Sequence, residues 1–143
     1  MKITGKKLHN ILKNFWPQAQ IFASDANYWL PTKEEVVELV RESNIDKYKY
    51  ISEVHDCDDF ALMLHAYAID RRYKRIMKNE LKPNEWFSLS LGQIWGSRFR
   101  GKDLYHAINV VVTQSKEIIL IEPQTDEMWK PKKGKDVAFW IRL

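Results

Sequence analysis

Apolar residues recur at helical spacing near the start of the chain. Leu8, Ile11, Leu12, Phe15 and Trp16 share one face, Thr4 stands at the N-cap position and Pro17 closes the run. An amphipathic helix is predicted there. The next stretch, QIFASDANYWLP, is aromatic and irregular. After it, Thr32 and Glu35 stand in the T-x-x-E relation of a capping box ahead of Val36, Val37, Leu39 and Val40. That helix should end near Ser43 and Asn44. A third helical pattern starts at Asp58 or one residue earlier and carries Phe60, Ala61, Leu64, Tyr67 and Ala68 on neighbouring faces. It passes into the basic RRYKR, so it begins buried and finishes in solvent.

Beyond Pro83 the period changes. Phe87, Leu89 and Leu91 alternate with serines, Ile108, Val110 and Val112 sit in a β-branched run, and EIILIE and VAFWIRL are two more runs bounded by Gly, Pro and Lys. Helices first and strands after predict an α+β domain with an antiparallel sheet. No repeat or linker divides the chain, so residues 1–143 read as one domain. The lysine-rich PKKGK reads as a solvated turn before the last strand.

Composition narrows the function classes. The chain is 45% hydrophobic, enough for a core, and its 23 basic and 19 acidic residues nearly balance, so charge does not point to specific nucleic-acid binding. Nothing resembles a signal peptide, and no run of about 18 apolar residues offers a membrane span. A cytoplasmic protein without membrane contact is expected, of undetermined oligomeric state. Its single cysteine, Cys57, fits a reducing compartment and is left as a free thiol.

Free cysteines are often core filler. Cys57 differs in standing at a predicted helix start, where unpaired backbone N–H groups and the helix dipole favour a thiolate. Asp56, Asp58 and Asp59 oppose that form unless they are neutralised or turned away. Downstream, His106 opens one strand and Glu122 ends the next, with a short polar link around Gln114 and Ser115. A three-residue loop places His106 opposite Glu122 in one register. In the other it places His106 opposite Gln124, with Glu122 one diagonal step away. Either way His106, Glu122 and Gln124 share a sheet face. Thiol, imidazole and carboxylate are what nucleophilic cysteine chemistry requires.

HDCDDFALML resembles the nucleophile segment of papain-like and transglutaminase-like cysteine peptidases; YHAINVVV resembles their histidine strand and IILIEPQTDEMW their acid strand. A nearer likeness, over roughly Asn27 to Trp129, is to the C-terminal protease domain of fungal agglutinins. The resemblance implies a papain-like fold, with N-terminal helices and the nucleophile at the start of a central helix packed on an antiparallel sheet. It implies Cys57 as nucleophile, His106 as general base and then acid, and Glu122 as the residue orienting His106. Gln124 is implied as an auxiliary group, and Tyr50 stands where the agglutinins place a tryptophan. It further implies that Asp58, Asp59 and Gln124 hold Ca²⁺ or Mn²⁺, which would also offset the acidic cluster beside Cys57. The agglutinins carry a separate sugar-binding domain for which this chain has no room, so glycan binding is not part of the expectation.

The function expected is therefore a thiol hydrolase, a peptidase or amidase, taking a peptide or protein substrate through an acyl-enzyme. The alternatives are a binding or inhibitory module that keeps the papain-like fold, of the kind a phage or mobile element would carry, and a transglutaminase-like acyl transferase. His55 and His65 flank Cys57 without zinc-finger spacing. Trp86, Trp95 and Trp129 are expected in the core rather than in a groove, and Arg98, Arg100 and Lys102 on an ordinary exposed connection.

Overall fold

A strand whose residues are apolar without alternation must be covered on both faces. The β-branched runs of the second half meet that condition in the computed structural model, which describes residues 1–143. The first half contains β1 (Lys2–Thr4), α1 (Gly5–Phe15), β2 (Gln20–Phe22), β3 (Asn27–Trp29), α2 (Lys33–Ser43) and α3 (Cys57–Met77). The second half contains β4 (Ser88–Leu89), β5 (Leu91–Ser97), β6 (Tyr105–Val112), β7 (Ile118–Glu122), β8 (Glu127–Trp129) and β9 (Val137–Arg142). Six strands form one sheet in the order β2-β9-β5-β6-β7-β8, and β1-β3-β4 form a smaller one.

The large sheet separates two apolar layers. Ile108, Val110 and Val112 of β6 pack with Leu8, Leu12 and Trp16 on the α1 side. Val111 and, from β7, Ile119 and Ile121 pack with Val36, Leu39, Phe60 and Leu64 on the side of α2 and α3. Successive side chains of β6 thus feed opposite cores, as a period of two demands. No helix is long and apolar enough to cross a membrane.

The helices form where their signals stand. Thr4 Oγ1 accepts from the Lys7 amide at 3.3 Å. At α2, Thr32 and Glu35 complete the capping box with bonds of 3.1 and 2.8 Å, and the helix ends at Asn44 in the left-handed region. α3 starts at Cys57, the earlier of the two expected positions.

The sheet departs from expectation. It is mixed, because β2 runs parallel to β9, and in the small sheet β3 runs parallel to β4 while β1 pairs antiparallel with β3. The N-terminal half is therefore not purely helical, and the sheet is not wholly antiparallel. Strands of three residues are too short to display a period. The irregular stretch QIFASDANYWLP holds two of them and buries Tyr28 completely.

Close strand packing makes one glycine obligatory. A Cβ on Gly92 of β5 would lie 1.9 Å from the Arg142 carbonyl oxygen and 2.9 Å from the Leu143 Cα, backbone that cannot swing aside. Gly92→Ala should lower stability by about 1–3 kcal/mol, the usual cost of overpacking. An unchanged denaturation midpoint would contradict this packing.

Candidate functional site at the head of helix α3

Cys57 is the first residue of α3, so its own amide belongs to the unpaired first turn. The helix start is held from both sides. Asp56 donates its backbone N–H to Asp59 Oδ2 at 3.2 Å, and the Phe60 amide returns to the Asp56 carbonyl at 3.1 Å. Before it, a tight turn closes with backbone bonds of 2.9 and 2.8 Å between Ile51 and His55. The His55 ring lies 4.4 Å from Phe60 and 5.5 Å from Tyr48, centroid to centroid. A structural role is thereby assigned to His55. One buried bond sets the helix against the sheet. Asn109, fully buried in β6, donates through Nδ2 to the Ala61 carbonyl of α3 at 2.8 Å and to the Gly92 carbonyl at 3.0 Å.

The β6–β7 hairpin takes the second of the two expected registers. Asn109 faces Ile121 and Val112 faces Ile118. Extended to the strand ends, this puts His106 opposite Gln124 and Glu122 one diagonal step away. The turn closes through Thr113 and Glu117, and Lys116 adopts the left-handed conformation usual for the last residue of a three-residue loop. His106 Nε2 meets Glu122 Oε2 at 2.6 Å, with only 19% and 17% of the two side chains exposed. Glu122 Oε1 also accepts the Gln124 amide, at 3.3 Å.

Burial alone would depress the His106 pKa, yet the neighbouring Cys57 and Glu122 outweigh it and raise the value from 6.5 to about 9. The ring is therefore a cation through the neutral range. With Nε2 committed to the carboxylate, Nδ1 is left for the sulfur.

An open groove of about 400 Å³ runs past these groups, lined by Cys57, His106, Glu122, Gln124 and Tyr50 and walled by Phe99, Arg100, Lys102, Leu104, Tyr105 and Trp129. Every expected nucleophile, base, orienting and auxiliary residue thus meets in one place. Partial desolvation and the neighbouring Asp56 and Cys57 push the Tyr50 phenol up.

The acidic residues divide. Asp56, Asp58 and the Cys57 sulfur bring their ligand atoms within 4.8 Å of one another. The pKa of Asp58 is raised and that of Asp56 lowered, in each case chiefly through their interaction with one another. Asp59 is committed to the helix start, and neither it nor Asp58 lines the groove that Gln124 lines. Among the acidic side chains, oxygen donors suited to a hard cation converge at Asp56 and Asp58.

Three groove residues carry other expectations. Trp129, expected in the core, lines the groove, and so do Arg100 and Lys102, expected on a plain connection. Arg100 stacks over the Trp129 ring at 4.9 Å and pairs with Glu127. Trp95 is half-buried, outside both cores, and edge-on to Trp140 at 4.5 Å, and Trp86, also expected in the core, is exposed. His65 lies apart, its pKa lowered by burial and by Arg142.

The sequence profile described as Agglutinin C-terminal matches residues 28–128, which span the groove and both its halves. The chain belongs to the agglutinin C-terminal family. No curated protein sequence matches it. Among solved structures, one described as a PSL1a–E64 complex matches over 99% of this chain and 51% of its own, with 23% identity and a TM-score of 0.75. Another, the Polyporus squamosus lectin bound to the human-type influenza-binding epitope Neu5Aca2-6Galb1-4GlcNAc, matches over 99% of this chain and 49% of its own, with 23% identity and a TM-score of 0.74. The agglutinin C-terminal domain thus spans about half the length of the solved chains it matches.

These findings correct the expectations that went beyond the family. The fold is the mixed, sheet-rich fold of lectin chains, not a papain-like enzyme fold. The matching Polyporus squamosus chain is described as a lectin bound to a glycan. The peptidase or amidase activity, its peptide or protein substrate, and the papain-like binding module and transglutaminase-like transferase kept as alternatives are accordingly withdrawn. The physical reason for the fold error is local. The order of Cys57, His106 and Glu122 describes a site, and a site does not determine the fold that carries it.

The imidazole makes a direct test of the geometry. Because the folded pKa of His106 lies above 6.5, its contribution to stability is complete below about pH 6.5 and is lost as pH rises through about 9. Glu122→Gln should lower the His106 pKa and shrink that contribution. Titration of the imidazole followed by NMR checks it; a wild-type value near 6.5 would contradict the arrangement.

Proposed function

We propose that this agglutinin C-terminal domain is a ligand-binding module that retains its ligand through Cys57, an activated thiol in the groove. One observation carries the reading: His106, held by Glu122 at 2.6 Å and cationic up to about pH 9, stands beside a cysteine at a helix start. A negative sulfur there faces an imidazolium and the unpaired amides of the first turn. In this reading the sulfur attacks an electrophilic carbon of the docked ligand: a carbon–sulfur bond forms, a carbon–oxygen bond at that carbon (the π bond of a carbonyl or a ring bond of an epoxide) breaks, and the oxygen that takes its electron pair receives the former thiol proton from His106. Glu122 orients the ring and balances its charge. Where the electrophile is a carbonyl, the Cys57 amide is placed to donate to the oxygen as it gains charge. The wider kinship with the papain-like and transglutaminase-like superfamily is proposed for the order and roles of these three residues alone.

A glycan is the second reading. It is drawn from the lectin neighbours, and Tyr50, Tyr105 and Trp129, which border the groove, support it by offering aromatic surface to a sugar ring. The chain spans half of those lectins, so this reading stands behind the first. Calorimetric titration with the sialylated trisaccharide tests it, and absence of heat would assign glycan recognition to the other half of such proteins.

The expected cation becomes a proposal centred on Asp56 and Asp58, where Ca²⁺ or Mn²⁺ would offset negative charge beside the sulfur. Added Ca²⁺ should then extend thiol alkylation to lower pH, and Asp58→Asn should remove that response.

For the thiol itself, iodoacetamide should label Cys57 well below pH 8.5, the ordinary thiol value, with a second change in rate as His106 loses its proton near pH 9. His106→Ala should abolish the neutral-pH reaction. E64, the molecule named with PSL1a, should be retained through denaturation by wild type and lost in Cys57→Ala. Labelling confined to pH above about 8.5, with no retention of E64, would refute the activated thiol.

A further inference from the structure

Across the groove from Cys57, the chain does something costly. Arg98, Arg100 and Gly101 all have positive φ, at 63°, 53° and 77°, two of them residues with side chains. Left-handed backbone of this kind persists only where the surroundings over-determine it. Phe99 supplies one anchor, buried in the α1-side core. The other is Asp136, only 5% exposed. Its Oδ1 accepts the Arg100 amide at 3.3 Å and the Trp129 indole N–H at 3.2 Å. Its Oδ2 accepts the Lys132 amide at 2.7 Å, and its backbone carbonyl accepts the Trp16 indole N–H at 2.8 Å. Trp16 and Arg100, both distant in sequence, and the adjoining stretch 129–132 converge on one residue.

We propose that Asp136 is a positioning residue for ligand recognition: from outside the groove, it sets the wall formed by Arg100 and Trp129. The inference rests on the groove being the ligand site, and it adds a division of labour to that reading. Cys57, His106 and Glu122 supply reactivity, and none of them touches Asp136. Arg100 and Trp129 supply shape and charge, and both depend on it. A carboxylate suits the task because it only accepts, and three N–H groups point at it. An isosteric amide must turn an NH₂ toward at least one of those donors.

Asp136→Asn keeps the backbone bond to Trp16 and so the link to α1. With E64 as probe, the variant should need at least fivefold more compound for half-maximal rate of uptake, while the limiting rate and the rate with iodoacetamide stay within twofold of wild type. Unchanged E64 dependence would overturn the proposal. A parallel fall in iodoacetamide rate would assign Asp136 to general stability instead. Hydrogen exchange on the unmodified protein tests the anchor without any ligand: the Arg100 amide should exchange as slowly as amides of β6, although its loop lies at the surface. Fast exchange there would overturn the proposal even if E64 failed to bind, whereas slow exchange with no E64 uptake would count against the reading of the groove alone.

Discussion

The pairing of Asn109 with Ile121 is the constraint on which the rest depends. Strand side chains alternate, so a slip by one residue would exchange every inward and outward position along β6 and β7. In the observed register Ile108, Val110, Val112 and Leu120 go to the α1 core, while Val111, Ile119 and Ile121 go to the α3 core. That choice also carries His106 and Glu122 to the end of one face, where the apolar stripe gives way to the groove. Core and site are thus one decision. A slip that spoiled the site would first have to exchange a whole row of branched side chains between the two cores.

Asn109 extends the same logic between layers. An amide buried inside an apolar sandwich is tolerated only when bonded, and its Nδ2 spans the Ala61 carbonyl of α3 and the Gly92 carbonyl of β5. The bond ties the first turns of α3 to the strand that carries His106. Cys57 then stands in a field of both signs. The carboxylates of Asp56 and Asp58, within 4.8 Å of the sulfur, repel a thiolate, and the imidazolium of His106 opposes that repulsion.

Much of this was readable beforehand, for reasons that differ by element. Helix signals are local: a cap, a box and a period of 3.6 within a dozen residues located α1, α2 and α3. The hairpin was readable because a short loop leaves few registers, and both of those available kept His106 near Glu122. The short strands were not readable, since Asn27–Trp29 and Gln20–Phe22 owe their conformation to partners far away in sequence, Lys2–Thr4 in one case and β9 in the other. Their loss turned a mixed, two-sheet fold into an expected antiparallel one, and a familiar site then lent that expectation the wrong architecture.

The same division separates the chemistry of the groove from its recognition. Cys57 is ordered by its own helix, and His106 and Glu122 by their own hairpin, so each carried a visible signal. The opposite wall has none. Trp16 and Asp136 meet across 120 positions, Arg100 reaches Asp136 through a backbone amide that any residue but proline would supply, and Trp129 looks in sequence like one more core aromatic. The groove wall of Arg100 and Trp129 is therefore held by contacts that leave no pattern, while Cys57, His106 and Glu122 sit where local rules put them. A sequence of this kind discloses that a thiol stands beside an imidazole well before it discloses what the thiol is for.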